Sequence, residues 1–137
     1  EFNSVQSFLI AKRGRASNAL EIAYGSSQGG GVREKLYVPT LTLDNLSNFF
    51  PKPDFIKIDI EGAELLALNG GNKVITSIRP VFYIEVGKHS SNEIQRIFTK
   101  EYYRLFDGVT FNPINMCAYN TFFVPEEKCN NNFFLQT

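Results

Sequence analysis

Apolar positions in the middle of the chain fall into two short, dense runs, FIKIDI (55–60) and PVFYIEV (80–86). In the first, two-residue alternation puts Phe55, Lys57 and Asp59 on one face and Ile56, Ile58 and Ile60 on the other, the pattern of a half-buried strand. About twenty residues separate the runs, roughly the length a helical crossover needs. Two near-continuous apolar strands joined by a helix predict neighbours in a parallel sheet covered on both faces.

The same reading extends outward. VQSFLIA (5–11) and ALEIAY (19–24) are strand candidates around a polar turn with Gly14, a hairpin-like opening. The loop GSSQGGGVREK (25–35) leads into LYVPTLTL (36–43), extended by its Val and Thr content. Asp44 is the expected cap of a short helix over 45–50, stopped by Pro51 and Pro53. AELLALNG (63–70) predicts a helix that Gly70 and Gly71 interrupt, followed by a short turn or helix over 72–78. Ser90 or Ser91 caps a helix over 92–100 with Ile94, Ile97 and Phe98 as its buried stripe. Residues 103–109 and 120–125 predict two last strands around a looser segment, and 126–137 reads as irregular.

Composition fits one globular domain: 137 residues, 43% hydrophobic, 14% aromatic. Fourteen basic residues balance fourteen acidic ones, so no global field draws in nucleic acid or an anionic membrane. No apolar stretch approaches the roughly 20 residues of a membrane span, and residues 1–8 lack a signal-peptide pattern. A soluble, cytoplasmic protein is the expectation. Cys117 and Cys129 are expected as free thiols. Asn45-Leu46-Ser47 fits the glycosylation acceptor pattern, which matters only in a secreted protein.

Candidate chemistry gathers where the strands end. In an open parallel sheet ligands bind beyond the carboxyl ends of the strands. Asp59 and Glu61 follow the first run and Glu85 ends the second, so adjacency would bring three carboxylates and His89 to one rim. Glu61 and Glu64 fall in the expected first helical turn, where acids favour the macrodipole, and Glu64 is read as structural. Asp59 could cap the same helix, Lys57 is expected to pair with an acid, Glu85 first, and Gly62 allows close packing. Asp59, Glu61 and Glu85 could hold Mg²⁺ or Ca²⁺, but nothing in their spacing selects a metal, and none is expected. Gly29, Gly30 and Gly31 precede an extended segment rather than a helix, which argues against a phosphate loop.

The blocks Leu41-Thr42-Leu43-Asp44, Asp54 through Glu64 (DFIKIDIEGAE), Leu68-Asn69-Gly70-Gly71, Arg79-Pro80 through Glu85, and Asn120 through Pro125 together resemble the C-terminal half of an FkbM-type methyltransferase domain. The resemblance runs from about Val5 to Pro125 and is most specific in KIDIEGAE. It implies an α/β fold, a Rossmann-like class I methyltransferase sheet that is incomplete because the N-terminal cofactor-binding strands have no counterpart, with a final antiparallel strand pair. Residues 1–128 would form the partial domain and 129–137 an irregular tail. The resemblance further implies S-adenosylmethionine as cofactor and O-methylation of a small-molecule or saccharide hydroxyl. Asp59 and Glu61 would be the catalytic candidates, Asp59 also near the cofactor, with Lys57, Glu85 and His89 supporting. The glycine-rich turn and ribose-binding acid are missing, so the isolated chain is expected to be inactive. A non-catalytic α/β interaction module is the alternative.

Overall fold

The computed structural model describes residues 3–12, 18–23 and 31–129. The fold is mixed α/β, with two sheets. The first joins β1 (Ser4–Ala11), β2 (Ala19–Leu20) and β3 (Val32–Thr40) in the order β2-β1-β3, antiparallel throughout. The expected pairing of the first two strands is present, but β2 is two residues long and β1's main partner is β3, which begins within the expected loop. The turn around Gly14, with Tyr24, Gly29 and Gly30, lies outside the described residues.

The second sheet has the order β4-β5-β8-β6-β7: β4 (Phe55–Ile58), β5 (Val81–Glu85), β6 (Tyr103–Asp107), β7 (Pro113–Ile114) and β8 (Asn120–Pro125). β4 and β5 are parallel neighbours, as the two apolar runs predict, paired Phe55↔Val81 through Ile58↔Ile84. β8 lies antiparallel between β5 and β6. β7 is a short strand inside the segment expected to be irregular.

Its core lies on one face. Ile58, Phe82, Ile84, Leu105 and Phe123 meet Leu68 of α2 (Glu64–Asn69) and Ile94 and Phe98 of α3 (Ser91–Lys100). The Phe98 ring stacks on Phe123 and meets Phe82 edge-on. Coverage of β4 on both faces does not hold among the described residues. β4 is an edge strand whose Phe55 and Lys57 are exposed while Ile58 is buried. The half-buried surface strand is therefore the correct reading for β4.

Three local expectations are corrected. Thr42, not Asp44, caps α1 (Leu43–Leu46), its Oγ1 accepting from Asn45 N. Asp44 instead accepts from Lys73 N and Val74 N (3.0 and 2.9 Å), satisfying the start of a π-helical turn, Val74–Ile78, some thirty residues along. The two glycines before that turn allow this approach: a Cβ on Gly71 would lie 2.9 Å from Leu43 Cδ1. Ser90 sits at the N-cap of α3, but its hydroxyl donates to Gly87 O rather than accepting from the helix. Residues 126–129, expected to be irregular, form α4 (Glu126–Cys129), fastened by Arg79, whose guanidinium donates to both Glu127 carboxylate oxygens and to Glu101 O.

Candidate functional site

The parallel register fixes the site. Ile58 pairs with Ile84, so the next residue on each strand, Asp59 and Glu85, leaves the sheet at the same end. The antiparallel register Glu85↔Asn120 brings Tyr119 to that end as well, and Val86 N donates to Tyr119 O. Asp59, Glu61, Glu85 and Tyr119 thus share one rim, close enough that Asp59, Glu61 and Glu85 all act on the Tyr119 phenol.

The partners differ from those the sequence predicts. Lys57 pairs with Asp59 at 2.9 Å, not with Glu85, because the two side chains follow each other on the same exposed face of an edge strand. That hydrogen bond holds the Lys57 ammonium above its ordinary value. Glu85 accepts from the Tyr119 hydroxyl, which pushes the phenol up to about 12. Asp59 caps no helix: Ala63 is the N-cap of α2, and the amides of Ile60 and Gly62 donate to Glu64 instead. Glu61 is not in the first helical turn. It stands in the linking turn at φ 54, followed by Gly62 at φ 95. Partial burial, then the neighbouring charges of Glu85, Asp59 and Glu64, raise its carboxyl above the ordinary value of 4.5.

His89 is exposed in the turn before α3, and no hydrogen bond or ion pair joins it to the carboxylates. Among the described residues no group of three His, Cys, Asp or Glu side chains is placed to hold a metal ion. Cys117 and Cys129 are free, and burial pushes the Cys117 thiol up to about 11. Asp107, at the end of β6, accepts from Val109 N, Thr110 N and the Thr110 hydroxyl. Its Oδ1 thus serves its own turn. Behind the rim, a cavity of about 450 Å³ lies between the first sheet and α2, lined by Gln6, Leu20, Ile60 and Leu66 among others, none of them charged.

A family model described as the methyltransferase FkbM domain matches residues 3–115. The chain belongs to the FkbM methyltransferase family. No curated protein and no solved structure gives a match. The FkbM match takes in Lys57, Asp59, Glu61, Glu85 and His89 but ends before Tyr119. The sequence alone does not single out Tyr119. Only the register of β8 against β5 places it beside Glu85, and nothing local in NMCAYN marks it. Gly31, at φ 97, leads straight into β3 rather than into a helix, so no helix N-terminus follows it. No helix among the described residues is long and apolar enough to cross a membrane.

Proposed function

We propose that this chain is the acceptor side of an S-adenosylmethionine-dependent O-methyltransferase. Its partial Rossmann-like class I domain takes in residues 1–128. The observation that carries this reading is the parallel β4–β5 register in an FkbM-family chain, which delivers Asp59, Glu61 and Glu85 to the carboxyl end of the sheet. The order β4-β5-β8-β6, with β8 reversed, supports the same sheet type.

The cofactor's part is to supply an electrophilic methyl group; the residues present act on the acceptor. A hydroxyl must be aligned and its proton accepted. Asp59, oriented by Lys57, is the proposed base, and Glu61 the hydrogen-bonding partner of the acceptor. Glu85, held by Tyr119, and His89 line the approach. The acceptor is a small molecule or saccharide, with no nucleic acid or membrane partner, and the setting is cytoplasmic.

Calorimetry tests the cofactor side. The isolated chain is expected to show no saturable affinity for S-adenosylmethionine, and a stoichiometric micromolar complex would show that the cofactor seat is misplaced. The acceptor side is tested in a protein extended upstream by a strand and a glycine-rich turn, which should bind the cofactor and methylate a hydroxyl. There Asp59→Asn should lower kcat by about 10² to 10⁴. The denaturant midpoint should hardly move, because exposed ion pairs contribute little. An extended protein that methylates no hydroxyl overturns the reading, and an active Asp59→Asn variant that has lost much of its stability overturns the assignment of Asp59.

A further inference from the structure

The turn between β4 and α2 places two residues in succession in the left-handed region, Glu61 at φ 54 and Gly62 at φ 95. Glycine adopts that region freely, but glutamate does not, so the surrounding structure must hold it there. Glu64 supplies the hold. It is only 3% exposed and meets no cation among the described residues; instead its Oε1 accepts from Ile60 N at 3.3 Å and from Gly62 N at 2.9 Å, the amides on either side of Glu61. A 3₁₀ turn after β2, Glu21–Ala23, closes the β4–α2 turn from behind, since a Cβ on Gly62 would lie 3.2 Å from Ala23 O.

The other acids of the rim are engaged. Asp59 is taken by Lys57, Glu85 by Tyr119 and Glu64 by the two amides. Glu61 alone among these four has no hydrogen bond or ion pair among the described residues. We propose that Glu64 is a positioning residue: by clamping the amides that flank Glu61 it keeps that residue left-handed and its uncommitted carboxylate at the rim beside Asp59 and Glu85. That the carboxylate then meets an acceptor hydroxyl rests on the methyltransferase reading; the clamp itself does not.

The test uses the whole chain and needs no activity. By NMR, the Ile60 and Gly62 amides of the unmodified protein should be protected from exchange although both residues are exposed; exchange at the rate of an open turn overturns the proposal. In Glu64→Ala both amides should exchange about tenfold faster or more, as expected for losing a hydrogen bond to a charged group. Phe82 and Phe123 amides should keep their rates. The Glu61 carboxyl titration should fall toward its ordinary value, because the opened turn is better solvated and leaves Asp59, Glu85 and their partners Lys57 and Tyr119. Glu64→Gln retains the accepting oxygen and should preserve protection, and the Glu61 carboxyl should fall less than in Glu64→Ala, by the loss of the Glu64 charge alone. Unchanged protection in Glu64→Ala overturns the clamp, and if that variant does not fold, loss of protection in Glu64→Gln does so. An intact clamp in an extended protein that transfers no methyl group supports the clamp and overturns only the methyltransferase reading.

Discussion

From β4 to α4 the second sheet seals its inner face: Phe82, Phe98 and Phe123 are fully buried, and α2 and α3 lie across them. The first sheet offers a contrast. None of the nine residues of β3 is buried, and its partners bury Leu9, Ala11 and Ala19 and little else. Both sheets have extended ladders, that of β1 with β3 shifting register only between Ile10 and Ala11, so the contrast lies in side-chain burial more than in backbone pairing. Cooperative stability belongs to the second sheet, while the 3₁₀ turn that follows β2, Glu21–Ala23, reaches it through Ala23 behind Gly62. The rim sits where the two meet. Its acids follow β4 or end β5, and the turn that carries Glu61 is backed by the 3₁₀ turn after β2.

The largest expected effect sharpens this contrast. Phe98→Ala removes a ring that touches Phe82, Tyr103 and Phe123 and should cost about 3 to 5 kcal/mol. Tyr37→Ala, on the exposed face of β3, should stay within about 0.5 kcal/mol. Denaturant unfolding of both variants checks this; similar losses at the two positions would mean that the sheets share one core.

An intermediate effect is expected where the second sheet is fastened to its last helix. Arg79 donates to both Glu127 oxygens and to Glu101 O and lies 5.0 Å from the Tyr103 ring. Arg79→Met should cost about 1 to 2 kcal/mol, a figure that allows for the half-exposed carboxylate. The pH dependence follows from Glu127, whose carboxyl is held below its ordinary value of 4.5 by the Arg79 bond. A lowered folded-state value stabilises above the ordinary value and is lost as pH falls through the folded one. Acidification below about 4.5 should therefore narrow the gap between Arg79→Met and the parent protein. A gap that is constant from neutral pH to pH of about 3 would remove the ion pair from the account and leave the ring contact.

How much could be read in advance divides along the same line. The paired runs at 55–60 and 80–86 made the parallel neighbours legible, because strands sealed on a helical face must be dense in Ile, Val and Phe. The convergence of Asp59, Glu61 and Glu85 followed from that alone. What could not be read depends on register or on chain reversal. Asp44 reaches Lys73 and Val74 across some thirty residues, Tyr119 meets Glu85 through β8, and the left-handed Glu61 needs Glu64 folded back on its own turn. Local propensity carries none of these, since each is decided by which distant backbone arrives nearby. The short β2 and β7 were misjudged for a simpler reason: two residues are too few to show a period.

The smallest expected effect tests whether the rim stores a cost that the rest of the second sheet does not. Glu61 titrates above 4.5 because burial and the charges of Glu85, Asp59 and Glu64 oppose its ionisation. A raised value in the folded state has the opposite sign to that of Glu127. The folded protein binds the proton more tightly than the unfolded chain, so stability falls as pH rises from the ordinary value through the raised one. Glu61→Gln removes the charge and keeps the size. It should therefore leave stability at pH of about 3 unchanged and raise it at neutral pH, by less than about 1 kcal/mol because the side chain is largely solvated. In an upstream-extended protein the same substitution should lower methyl transfer, the pairing expected when a site holds like charges together for function. Thermal or denaturant unfolding at the two pH values decides the matter. If Glu61→Gln destabilises at neutral pH, the carboxylate makes a favourable contact there, and the uncommitted group of the rim must be sought elsewhere.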